Sequence, residues 1–291
     1  MIQARAPLIG WGAFLAAGIA AAMLALGWQF AFAGLAIGLL GLPHGASDLA
    51  VVAPARRPGF LASYVGCIAA VMLVWRAEPA TALALLLALS ALHFAIDGDA
   101  RHGAVRNVAL GLFLVAGPAL FHHDAIAALF DGATGDAHAA TLLAGTLCVL
   151  APVATAILVA HLISDRGDPP ERWIEGMAIA LTLALPPLVG FAIGFVLLHA
   201  RGQTTERQHA IGCPTLRAYL VRVAPLMAGA FAVLALVAIE TLRGGFGHAT
   251  FLFAGIAALA VPHMLVTPLW RRAPSPAGRS RIWPAMTGNG R

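Results

Sequence analysis

The chain has 291 residues, 60% of them hydrophobic and 11% charged, and its net charge of +5 is set by arginine alone because lysine is absent. So much apolar surface is more than a soluble globule can cover, and runs of about 20 apolar residues recur, so the chain reads as an integral membrane protein of helices rather than a barrel. A basic balance in such a chain reports topology before nucleic acid. Three scattered cysteines, Cys67, Cys148 and Cys213, write neither a disulfide framework nor a zinc motif.

Breaks at charges, glycines and prolines place ten spans, near 8–27, 29–53, 60–76, 79–97, 104–121, 139–163, 173–186, 188–207, 216–241 and 248–270. The first follows Arg5 and runs almost directly into the second, so it reads as a retained helix rather than a cleaved signal. Only the stretch from Trp173 to Gln203 is ambiguous: split at Pro186-Pro187 it gives two helices, unsplit it gives one kinked helix and nine spans in all. With ten spans, sixteen of the eighteen arginines share one face and only Arg76 and Arg243 lie opposite, whereas nine spans leave no bias. The positive-inside rule therefore predicts an all-α polytopic transmembrane bundle of ten helices in the cell membrane, with both termini cytoplasmic. Residues 1–270 are expected to form one transmembrane domain. The segment from His122 to His138 reads as an acidic outer loop with room for a short interfacial helix, and 271–291 as a disordered tail held near anionic lipid headgroups.

The polar residues inside these spans carry the chemistry. Gly41-Leu-Pro-His44-Gly-Ala-Ser-Asp48 sets a histidine and an aspartate four residues apart, on one helical face, at the inner end of an apolar run. His93 and Asp97 repeat the spacing, and His199 with Gln203 and His263 with Thr267 give looser versions. In the ten-span topology all four histidines fall in the inner halves of helices running the same way, so they can meet at one depth. Ionisable groups in hydrocarbon are expensive, and imidazole is a common ligand of iron, copper, zinc and nickel, so metal binding by His44, His93, His199 and His263 is the functional reading. Asp48 and Asp97 are placed to accept the second ring N–H of a ligating histidine. Pro43 and Pro262 each precede a histidine and free a backbone carbonyl four residues earlier, at Leu39 and Ala258. Gly34, Gly38, Gly41 and Gly45 provide small-residue spacing for close helix approach. Against this stands the plainer alternative of hydrogen-bonded packing histidines. His161 and Asp165 repeat the same spacing where a solvated pair is expected, and His102, His122, His123, His138, His209 and His248 read as solvated.

On these residues the sequence resembles the Brp/Blh family of membrane β-carotene 15,15'-dioxygenases. The resemblance rests on Gly-Leu-Pro-His44-Gly-Ala-Ser-Asp48, Ser90-Ala-Leu-His93-Phe-Ala-Ile-Asp97, Pro187-Leu-Val-Gly-Phe-Ala-Ile-Gly-Phe195 leading to His199, and Val-Pro-His263-Met-Leu-Val. It implies ferrous iron, Fe(2+), held by histidines, dioxygen as co-substrate, and cleavage of the central double bond of a carotenoid taken from the lipid bilayer, giving retinal for an acceptor such as a rhodopsin. His44, His93 and His199 match the family's iron-ligand positions. The family's third motif is His-x-x-x-His, whereas this chain has His199-Ala-Arg-Gly-Gln203, so Gln203, His263 or a water completes the shell. Two other functions compete with the oxygenase: a carotenoid-binding homologue that has lost or altered the reaction, and a proton or metal transporter using a relay of intramembrane His and Asp. No HxxxH or HxxHH box supports a membrane desaturase.

Overall fold

Apolar segments without water to satisfy their amides must close their own hydrogen bonds, and this chain does so as helices throughout. The structure, a computed structural model, describes residues 5–165, 168–244 and 249–270, and no strand occurs among them. The tail 271–291, Arg166 and His248 lie outside the described residues.

Helix α1 (Arg5–Ala22) is followed by α2 (Leu26–Ala36), which runs through a π turn (Ile37–Gly41) into the short α3 (Leu42–Gly45) and α4 (Asp48–Val51). Then come α5 (Arg57–Ala77), α6 (Pro79–Ile96), α7 (Ala104–Ala116), α8 (Ala119–Thr134) and α9 (Ala137–Ser164). Next are α10 (Pro169–Ala184) and α11 (Pro187–Phe195), the latter continuing through a second π turn (Val196–Ala200) into α12 (Arg201–Ala210). The last two are α13 (Leu216–Gly244) and α14 (Thr250–Trp270).

Helices overlap each of the ten predicted stretches, though not each is long enough to be a span. Six stretches among the described residues are long and apolar enough to cross a membrane by themselves, and the pair α7 and α8, bent by 49°, makes a seventh if counted as one span. Many large apolar side chains, among them Leu35, Leu73, Val149, Val153 and Leu236, face outward, where a soluble protein would place polar ones. This is a membrane protein.

Two local features have clear causes, the first a break that the ten-span reading expects and the second a departure. The Trp173–Gln203 stretch is not one kinked helix: Leu185 and Pro186 are extended, and α11 doubles back on α10 so closely that a Cβ on Gly190 would meet the Thr182 carbonyl at 2.6 Å. The segment from His122 to His138 is not an open loop. Ile126, Phe130 and Ala133, at helical spacing, are buried, so α8 packs back along α9 rather than lying free at the interface, and Asp136 caps α9 through the amides of His138 and Ala139 at 3.0 Å. One apolar cluster, including Leu83, Leu86, Phe130, Leu147 and Val261, fills the bundle between α5, α6, α8, α9 and α14.

Candidate metal centre

Both π turns serve the same spot. A π turn holds one residue more than an α turn, which rotates everything after it about the helix axis; such turns recur at functional sites. The first covers Leu39, whose carbonyl Pro43 leaves without its helical partner, and the second contains His199. They pack against each other. Gly41 allows this: a Cβ there would lie 2.5 Å from the ring of Phe195. In α14, by contrast, Pro262 is absorbed without interrupting the helix.

The result is a closed ring of four imidazoles. Centroid separations run His44–His199 5.4 Å, His199–His93 5.4 Å, His93–His263 5.1 Å and His263–His44 5.3 Å, each pair meeting edge to face. One ring nitrogen from each of His44, His93 and His199 lies within 4.8 Å of the others. His44, His199 and His263 are buried, and His44 Nδ1, His199 Nε2 and His263 Nε2 make no hydrogen bond. A buried polar atom without a partner costs about 1–3 kcal/mol. Three such nitrogens in one ring of imidazoles are hard to reconcile with packing histidines, each of which needs its own hydrogen bond. They suit a cation-binding set, since two imidazoles bound in line to a first-row metal at about 2.1 Å each hold their nitrogens about 4.2 Å apart. The donor set and the unbonded nitrogens therefore fit a metal.

The carboxylates are arranged differently from the sequence expectation in one respect. Asp97 lies beside its own helical neighbour, with Oδ2 3.7 Å from His93 Nε2. Asp48 serves not His44 but His263, 215 residues away: His263 Nδ1 donates to Asp48 Oδ2 at 2.6 Å, and Thr267 Oγ1 donates to the same oxygen at 2.7 Å. The cause is the backbone turn at Ala46 and Ser47 that separates α3 from α4 and carries Asp48 toward α14. With Nδ1 committed as a donor, His263 keeps the lone pair of its unbonded Nε2 free for a cation. Gln203 is buried, and its Nε2 donates to the Asp97 carbonyl at 2.8 Å, strapping α12 to the end of α6.

Sequence reasoning missed three supports. Arg207, read as one of the arginines of the inner face, is buried, with Nη2 3.9 Å from Asp48 Oδ1. The signal was present: His199, Gln203 and Arg207 follow one another at four-residue spacing along one stripe. Tyr219 on α13 is fully buried and donates to the Pro43 carbonyl at 2.6 Å, while Ser47 Oγ donates to the His44 carbonyl at 2.6 Å. Phe94 and Phe195 wall the ring, 4.7 and 5.6 Å from His199 between centroids. Two outlying histidines also differ from expectation. His161 stacks edge to face on His102 at 5.4 Å, and His122, at the kink in α8, has a buried Nε2 without a hydrogen bond.

The family model described as beta-carotene 15,15'-dioxygenase matches residues 35–271. The chain belongs to this family. No curated protein and no solved structure matches. All four ring histidines of this beta-carotene 15,15'-dioxygenase family member lie within the matched stretch, as do Asp48, Asp97, Gln203 and Arg207.

Proposed function

We propose that this protein cleaves the central double bond of β-carotene, or of a related carotenoid, with dioxygen, and that His44, His93, His199 and His263 hold the ferrous iron the reaction requires. The observation that carries this reading is the closed imidazole ring with three unbonded, buried nitrogens, in a chain of this family. The reaction balances: each half of the broken C=C bond takes one oxygen atom, giving two molecules of retinal from β-carotene, available to an acceptor such as a rhodopsin. Ferrous iron held in the ring supplies the redox chemistry that dioxygen needs. Asp48 and Thr267 fix the orientation of His263, and Asp97 lies against His93, so two of the four rings are steadied by carboxylates that are not themselves ligands. Phe94 and Phe195 pack on one another and on the His199 ring and give a polyene an apolar surface. His263, a fourth imidazole in the ring, takes the place that the second histidine of His-x-x-x-His holds in the family, while the Gln203 amide N–H goes to the Asp97 carbonyl. We place the protein in the cell membrane with the ring toward the cytoplasm and both termini inside.

Co-expression with a carotene pathway tests the activity: bleaching with accumulation of retinal is expected, abolished together with bound iron by His44→Ala. Carotene persisting with no retinal or apocarotenal overturns the oxygenase. One observation favours a second reading, a carotenoid-binding protein without turnover: a buried glutamine stands where the family has an imidazole. Under that reading Gln203→His gains both iron and turnover over the native chain. A transporter is disfavoured, since the apolar cluster of Leu83, Leu86, Phe130 and Leu147 packs the bundle around α6, α8 and α9 with no polar ladder among those residues.

A further inference from the structure

On the arginine-rich side of the imidazole ring, α6, α7, α10 and α12 leave a crevice of about 1500 Å³. Among the described residues its lining holds seven carboxylates against four arginines, in a chain whose net charge is +5. Three of those arginines are already paired: Arg106 with Glu175 at 2.6 Å, Arg201 with Glu171, and Arg101 with Asp99. The fourth, Arg172, donates to the Leu162 carbonyl at 3.1 Å. Arg101 donates to Asp99 through Nε at 2.9 Å and holds that carboxyl down at about 2, so it stays charged at any physiological pH. A surface of this kind faces water, not lipid. Its lining includes His199 and Gln203, and His199 is buried with Nε2 unbonded. The crevice thus runs from the aqueous side to the outer wall of the ring at His199 and Gln203.

An apolar carotenoid gains nothing from such a lining, whereas a hydrated cation does, because clefts lined by one sign of charge raise the local concentration of counter-ions. We propose that this crevice is the loading path by which a hydrated divalent metal ion enters from the aqueous phase and reaches the four-histidine ring, with Asp168 and Glu206 drawing it in. The inference rests on the metal reading above and adds the route.

The test uses the full chain in nanodiscs, stripped with a chelator and mixed with Co(II) alone, with uptake followed by the cobalt absorption bands. Gly202 lies in the crevice lining on α12, and a Cβ there meets nothing within 4 Å, so Gly202→Trp fills open space on a helix where tryptophan is a better helix former than glycine. Gly202→Trp is expected to slow uptake several-fold while final stoichiometry and chelator-competition affinity stay unchanged. Asp168→Asn with Glu206→Gln is expected to slow it about tenfold at low salt and to flatten its dependence on ionic strength. Uptake at the native rate in both variants overturns the route and leaves the metal site standing. Absence of any His44-dependent cobalt uptake by the native chain overturns the metal site, and the route with it. Should Gly202→Trp fail to fold, the charge variant decides alone.

Discussion

The residue that reveals most about the site is Asp48. It accepts from His263 and Thr267 on one oxygen and faces Arg207 on the other, so it is a buried charge with compensation on both sides. Such carboxylates orient a ligating ring without touching the metal, and their loss lowers metal affinity about 10–100-fold. Asp48→Asn is expected to do this while keeping its shape; competition with a chelator measures it, and unchanged affinity would show that His263 is not held for binding. The histidines themselves were legible in the sequence, because a polar group in an apolar run is conspicuous wherever the chain folds. The partner of Asp48 was not. A four-residue spacing suggests a bond along one helix, while the bond formed crosses between α4 and α14.

Elements matter through the two π turns and the small residues that let them meet. Gly41 and Gly45 look alike in the sequence, but their surroundings differ. A Cβ on Gly41 lies 2.5 Å from the Phe195 ring, whereas one on Gly45 finds ordinary contact with His263 at 3.7 Å. Alanine gains about 1 kcal/mol over glycine in a helix, and overpacking costs about 1–3 kcal/mol. Gly45→Ala is therefore expected to be neutral or stabilising, and Gly41→Ala to lower the thermal midpoint and disturb the ring through Phe195; thermal unfolding in detergent distinguishes them. At the connection between α6 and α7, the Asp99 carboxyl is held at about 2 against an unfolded value of about 3.9. A depressed carboxylate contributes stability above its unfolded pKa and loses it as pH falls through its folded pKa. Acidification from pH 4 to 2 is expected to release the Asp99–Arg101 contact, readable as an Asp99 carboxyl titration by NMR that moves up in Arg101→Gln.

At the scale of the whole molecule, Arg207 ties α12 to α4 and, through Asp48, to α14. Removing one partner of a buried ion pair leaves an uncompensated charge, a loss of about 3 kcal/mol. Arg207→Met is expected to destabilise the protein by that amount in denaturant unfolding, whereas the exposed Arg243→Met, whose partner Glu240 is one turn away, changes little.

From the sequence alone came the helical membrane architecture, the place of most rods, the break at Pro186 and the four histidines. Apolar run length, proline chemistry and the expense of polar groups in lipid act over a few residues and leave their mark there. Only the tertiary structure decided which carboxylate serves which ring, that Arg207 turns inward, that Gln203 binds a backbone carbonyl, and that α8 lies along α9. These are contacts between rods far apart in the chain, with Gln203 bonded 106 residues away and Tyr219 176 residues away, and no local pattern encodes which of several facing helices will supply the partner.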